Sequence, residues 1–348
     1  MTEQRVTEGP EEETVQGTPP DEGDQAAPRQ DAPKKSTAER IATLGPLIAL
    51  VIICGFFTLM SPRFLTGSNL SLVVQQVMVI GALAIGQTLI ILTAGIDLSC
   101  GAVMALGNIV MTKLAVDSGL PPLLAIVLGI VTCMLIGFVN GAFVTGLKLP
   151  PFIVTLGTLN IAFALTHIYS QDETVSNLPG SMTALGSSFQ IGGTAITYGS
   201  LLTLLMFGGA WFVLTQTAWG RRVYALGDNP EATRLIGIPV NRMLIGVYTG
   251  AGAIYGVAAL LLVSRTGVGD PNAGVTENLE SITAVVLGGT SLFGGRGTII
   301  GTLIGALIVG VLRNGLVLLG VPSIYQVLIT GILVITAVSV DQLARSRS

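Results

Sequence analysis

Residues 92–108 read LTAGIDLSCGAVMALGN and residues 284–301 read AVVLGGTSLFGGRGTIIG. Each is an apolar run interrupted by small and polar residues: Gly95, Asp97, Ser99 and Gly101 in the first, and Gly288, Gly289, Thr290, Gly294, Gly295, Arg296 and Gly297 in the second. Long apolar stretches flank both. Aligning Leu98-Ser99-Cys100-Gly101 with Leu292-Phe293-Gly294-Gly295 sets them 194 residues apart, a weak internal repeat. Two halves with interrupted segments at corresponding positions point to a path at the repeat interface, because non-helical backbone at membrane depth is tolerated only where it is buried or lines a cavity. The plainer alternative, two ordinary loops with glycine helix caps, stays open.

The reading of a membrane protein comes from the charges. Of 348 residues, 50% are hydrophobic and only 37 are charged. Residues 1–40 hold 15 of these, 5 basic and 10 acidic, leaving 12 basic and 10 acidic residues for the other 308. A soluble body with so little charge would expose apolar patches far beyond the few hundred Å² that soluble monomers tolerate. The fold class expected is therefore all-α and polytopic. The spans fall near 41–61, 70–93, 101–117, 121–146, 150–170, 197–216, 243–264, 281–295, 298–318 and 323–340, about ten helices of roughly 20 residues.

Residues 1–40, rich in Glu, Pro, Asp and Gln, are expected to be a disordered cytoplasmic tail without the order of a signal peptide. Residues 41–342 form the transmembrane domain, and residues 343–348 a cytoplasmic C-terminal tail. With both termini inside, Lys148, Arg221, Arg222, Arg234, Arg242, Arg296, Arg345 and Arg347 lie inside and only Arg63, Lys113, Arg265 and Arg313 outside, as the positive-inside rule requires. Glycines spaced by four, as in Gly137/Gly141, Gly246/Gly250, Gly252/Gly256 and Gly297/Gly301/Gly305, suit closely packed helices.

Nothing suggests a soluble enzyme's chemistry. The three cysteines have no CxxC or histidine partner spacing, so neither a disulfide nor a metal site is expected, and no cofactor. No basic stripe exists for nucleic acid. Asp97 is read as the one carboxylate inside a membrane segment, either capping the helix after Ser99 or taking part in a path, with a salt link to Arg296 conceivable. Gln75, Gln76, Gln87, Asn108, Asn140, Asn160 and Asn314 could hydrogen-bond an uncharged solute or simply neighbouring helices. His167, the only histidine, reads as interfacial packing.

The stretch 219–242, WGRRVYALGDNPEATRLIGIPVNR, is the longest charged stretch of the body, and its Asp228-Asn229-Pro230-Glu231 is a helix start with Gly237 as its stop. Glu231-Ala232-Thr233-Arg234-Leu235-Ile236-Gly237 resembles the Glu-Ala-Ala…Gly coupling loop of bacterial ATP-driven importers, departing from it at Thr233. TAGIDLSCGAV (93–103), PPFIVTLGT (150–158), residues 219–238 and residues 284–310 together resemble permease subunits of ribose/xylose/fructose-type monosaccharide ABC importers, in colinear order from about 45 to 342. The resemblance implies a permease that is not itself an enzyme, since no GxxxxGK[ST] loop is present. Its partners would be a cytosolic ATP-binding subunit, an extracytoplasmic sugar-binding protein, a second permease copy and the bilayer. Glu231, Ala232, Arg234 and Gly237 would couple to the ATPase, and Gly95, Asp97, Ser99, Gly288, Gly289, Thr290 and Arg296 would lie by the path. The rival classes are an ion-coupled secondary transporter, which would want several acidic relays, and a membrane-embedded enzyme, which would want a polar catalytic cluster.

Overall fold

The computed structural model describes residues 37–345; of the tail expected to be disordered over 1–40, residues 1–36 lie outside the described residues, as do 346–348, while residues 37–40 open a helix. In chain order come α1 (Thr37–Met60), α2 (Gly67–Leu92), α3 (Cys100–Val116), α4 (Pro122–Gly146), α5 (Pro151–Ser170), α6 (Gly180–Thr183), a 3-10 turn, β1 (Ser188–Ile191), β2 (Thr194–Thr197) and α7 (Tyr198–Gln216). They are followed by α8 (Ala218–Asp228), α9 (Pro230–Leu235), α10 (Val240–Thr266), α11 (Glu277–Leu287), α12 (Ile299–Leu318) and α13 (Ser323–Arg345). The fold is all-α apart from one short hairpin.

Local chemistry sets the helix boundaries. Pro122 and Pro151 occupy the first turns of α4 and α5, where a missing N–H costs nothing. Thr197 caps α7 through the Ser200 N–H at 3.2 Å, and Thr298 caps α12 through the Gly301 N–H at 3.0 Å. The hairpin, for which the sequence reading has no strands, turns on Gly192 and Gly193, both at positive φ, and the Ser71 hydroxyl of α2 fastens it by donating to the Ala195 carbonyl.

Among the described residues, six helices are long and apolar enough to cross a membrane: α2, α4, α5, α7, α10 and α12. Residues 44–60, α3 and residues 323–336 are apolar but shorter. The span expected at 281–295 is different in kind. Its helix α11 begins at Glu277 and stops at Leu287, because Gly289, Gly294, Gly295 and Gly297 all adopt positive φ and no helix continues through them. The helix ends before the two interruptions, Leu92 and Leu287, lie 195 residues apart, whereas the starts after them, Cys100 and Ile299, lie 199 apart.

Helix α2 is the hub. It packs against α10, α11, α12 and α7, and 83% of its apolar window is buried, against 22% for α4 and for α7. The outer helices α4 and α7 therefore present Phe138, Leu205 and Phe212 outward, a surface that water would not tolerate and lipid does. Closest packing joins α4 to α10. A methyl group on Gly141 would sit 2.9 Å from the Cα of Ile245, and one on Gly256 would sit 2.7 Å from the Cα of Ile130, so small residues on both helices bring the backbones together. Gly246 and Gly250 face open space and take no part in that contact.

Candidate functional site

The first interruption, residues 93–99, is a buried loop fastened on four sides. Asp97, 2% exposed, accepts from the Ser99 N–H at 2.7 Å and from the Ser99 hydroxyl at 2.6 Å. Gln87 of α2 donates to the Asp97 carbonyl and to the Cys100 sulfur. Asn278 of α11 donates to the Leu98 carbonyl, while the Thr155 hydroxyl of α5 donates to the Ile96 carbonyl and accepts from the Leu98 N–H, both at 3.1 Å. Asn140 of α4 donates to the Ser99 hydroxyl at 3.2 Å and accepts from Thr158. These bonds replace the helix ladder that the loop lacks, as a buried backbone demands.

Asp97 acts here as a local acceptor just before α3, holding the N-cap residue Ser99, and bonds none of the helix's own first-turn N–H groups. The conceivable salt link to Arg296 does not form: Asp97 is buried with both of its bonds on Ser99, and Arg296 is exposed. The phenols Tyr248 and Tyr255 of α10 are buried, and the Tyr248 hydroxyl abuts Gly95 so closely that a side chain there would strike it.

The second interruption, residues 288–298, begins as the cap of α11. Gly289, at φ +82°, and Thr290 return their N–H groups to Val286 and Val285 at 2.9 and 3.2 Å. Gly288 packs backbone to backbone on Gly301, and Thr290 is buried against Gly297. The segment then reaches across the molecule: the Gly295 N–H donates to the Leu92 carbonyl at 3.0 Å. A β-carbon on Gly294 would lie 2.7 Å from the Ala94 nitrogen and 2.8 Å from the Gly227 oxygen. The two interruptions therefore touch each other and α8 at one place.

The 219–242 stretch supplies that third member. Gly227 of α8 packs against the Leu92 carbonyl, and Gly295 packs on Asp228. Tyr224 donates its hydroxyl to the Gly297 carbonyl at 3.0 Å, and burial holds its ionisation above the usual phenol range, so it stays a donor. Asn229, not Asp228, caps α9 through the Ala232 N–H at 2.9 Å, with Pro230 in the first turn. Thr233, at the position where the coupling motif has alanine, is buried and donates to the Ala225 carbonyl at 2.9 Å, locking α9 to α8. The opposite side of α9 is bare: Glu231, Ala232 and Arg234 are exposed, as are Leu235 and Ile236, at 87% and 72%. Gly237 ends the helix at φ +84°.

Several polar residues settle into helix contacts. Asn69 and Asn314 exchange two amide bonds at 2.9 Å between α2 and α12, and His167 pairs with Asp172 while stacking against Phe163. One group was missed. Glu280, placed in a loop by the expected span start at 281, is 7% exposed, and Arg313 of α12 donates to both of its oxygens at 3.1 and 2.9 Å, with Glu277 at 4.0 Å. Asp97 is thus not the only buried carboxylate among the described residues.

A bundle of helices apolar enough to cross a membrane, with two interrupted segments that meet at α8, fits a membrane transport permease. The family described as "Branched-chain amino acid transport system / permease component" matches residues 69–338. A fructose import permease protein from Rhizobium meliloti is 45% identical over 86% of this chain and 85% of its own length. A ribose import permease protein from Bacillus subtilis strain 168 is 41% identical, covering 86% and 92%, and a xylose transport system permease protein from Escherichia coli strain K12 is 32% identical, covering 87% and 92%. The chain belongs to this family of membrane transport permeases, and within it to the group of monosaccharide ABC importer permeases.

Proposed function

We propose that this chain forms the translocation path for a monosaccharide of the ribose, xylose or fructose class and draws its power from a separate ATP-binding subunit that grips α9. One observation supports the coupling above the others: α9 is locked to α8 by Thr233, α8 touches both interrupted segments through Gly227 and Asp228, and the far side of α9 bares Leu235 and Ile236. A push on that apolar tip has a packed route to Leu92 and Gly295. The ATPase biases the bundle between inward-open and outward-open states by contacting α9 differently in each.

In this reading α8 and α9 face the cytoplasm with both termini, α11 and the shorter apolar helices join the six long ones to make ten crossings in a repeat, and an extracytoplasmic sugar-binding protein docks on the opposite end. A second copy of the chain completes the path. The ion-coupled alternative is less well supported, because the buried carboxylates are already engaged: Asp97 with Ser99, and Glu280 with Arg313.

The test is ATP hydrolysis by the purified chain reconstituted in nanodiscs with its ATP-binding subunit and sugar-binding protein. Fructose, ribose or xylose should raise the rate at least several-fold only when all components are present. A rate indifferent to every sugar and to the binding protein would overturn the reading.

A further inference from the structure

Asn160 is the tenth residue of the twenty in α5, the middle of an apolar helix long enough to cross a membrane. Its amide donates to the Leu156 carbonyl of its own helix at 3.0 Å, and the residue is exposed. In this it stands apart. Within the six long apolar helices, the other carboxamides lie buried or half-buried, or sit at helix ends, as Asn241 and Gln216 do. Asn69 with Asn314, Asn140 with Ser99 and Gln87 with Asp97 have all found partners in neighbouring helices.

An amide facing hydrocarbon at mid-span keeps an oxygen that no lipid chain can satisfy, so such residues turn toward protein or water. Asn160 shares its side of α5 with the exposed Leu156, four residues before it, and Phe163, three after. Gly157, three residues before, and Ala164, four after, are both exposed, and a side chain at Gly157 would meet nothing within 4 Å. The opposite side of α5 holds Thr155 and Thr158, which bind the Ile96–Leu98 loop and the Asn140–Ser99 pair. One helix therefore bears the odd amide on one side and the first interrupted segment on the other.

We propose that Asn160 faces the water-filled path and hydrogen-bonds the hydroxyls of the passing monosaccharide, a positioning contact between the two ends of the membrane. The assignment rests on the transport reading above. An uncharged amide, donor and acceptor at once, suits a polyhydroxylated neutral solute without holding it as a fixed charge would.

Two measurements on the full complex in proteoliposomes test it. In the first, Asn160→Leu should lower sugar uptake at least tenfold with assembly of the complex retained, whereas Asn160→Gln should stay within threefold of wild type. In the second, Asn160→Cys in a chain whose Cys54, Cys100 and Cys133 are replaced by alanine should react with a charged, water-soluble methanethiosulfonate, and bound sugar should slow the reaction at least threefold. No effect of Asn160→Leu together with no labelling would place Asn160 in lipid and overturn the proposal. Oxidative cross-linking of two Asn160→Cys chains, with no aqueous labelling, would place it between the two copies and overturn it equally. Failure of the monosaccharide reading has a different signature: labelling by the charged reagent persists while wild type transports none of the three sugars.

Discussion

The backbone N–H of Gly295 donates to the carbonyl of Leu92 at 3.0 Å, joining the two interrupted segments by a hydrogen bond between residues 203 positions apart. Gly227 closes the contact from α8, packed so tightly on the Leu92 carbonyl and the Gly295 nitrogen that no β-carbon fits there. Whatever moves α8 must move both segments or break this junction. Interfaces so closely packed respond as switches between discrete arrangements more readily than as soft springs.

Replacing Gly227 by alanine forces backbone apart at that junction, at a cost of about 1–3 kcal/mol typical of overpacking. The expected outcome is an assembled complex that hydrolyses ATP with little uptake. Paired measurement of phosphate release and labelled sugar entry checks this, and a normal ratio of the two would show that the junction is not in the route.

Thr233 fixes α9 to α8 through the Ala225 carbonyl. Thr233→Val keeps the volume and removes the donor, costing about 1 kcal/mol. Sugar entry per ATP should fall while the affinity of the permease for its ATP-binding subunit stays unchanged, which binding in detergent would measure.

Leu235→Glu combined with Ile236→Glu places charge on the bare tip of α9 without disturbing any bond within the chain. The ATP-binding subunit should no longer co-purify, and the melting midpoint of the permease alone should be unchanged. Retained co-purification would move the coupling contact elsewhere.

How much of this was readable in advance depends on how local each determinant is. Asn229 and Pro230 announce α9, because a cap and a first-turn proline act within one turn. The interruptions at 92–108 and 284–301 were visible as glycine and polar residues inside apolar runs. The hairpin also has a local signature: SFQIGGTAIT, residues 188–197, carries a Gly-Gly turn between two short strands. The end of α11 was not readable, since Leu292 and Phe293 prolong the apolar run beyond the Gly288 stop. Nor was the Glu280–Arg313 pair, whose partners are 33 residues apart with an interrupted segment between them. That Asn160 alone among the described carboxamides is exposed at mid-span, while Asn69, Asn140 and Asn314 are buried, is a matter of which helix faces which, and a single helix's sequence does not specify that.

Removing one half of the part-buried Glu280–Arg313 pair leaves the other group without its partner, costing about 1–3 kcal/mol. Glu280→Gln and Arg313→Gln should each lower the melting midpoint markedly, and the double change should restore part of the loss. Strict additivity of the two single effects would mean that the pair is not coupled.

For Asp97 the deciding comparison is isosteric. Asparagine keeps an oxygen for the Ser99 N–H and hydroxyl, so Asp97→Asn should leave uptake within about twofold, a free-energy change well under 1 kcal/mol. Asp97→Ala strands both donors and should cost about 1–3 kcal/mol in stability. Loss of uptake in a well-folded Asp97→Asn protein would assign the negative charge itself a role.

The most direct measurement is entry of labelled fructose, ribose and xylose into proteoliposomes holding this chain, its ATP-binding subunit and ATP on the α9 side, with the sugar-binding protein on the other. At least one sugar should accumulate against its gradient, and omitting ATP or either partner should abolish the accumulation. Accumulation by this chain alone, driven by a proton or sodium gradient and indifferent to ATP, would contradict the account.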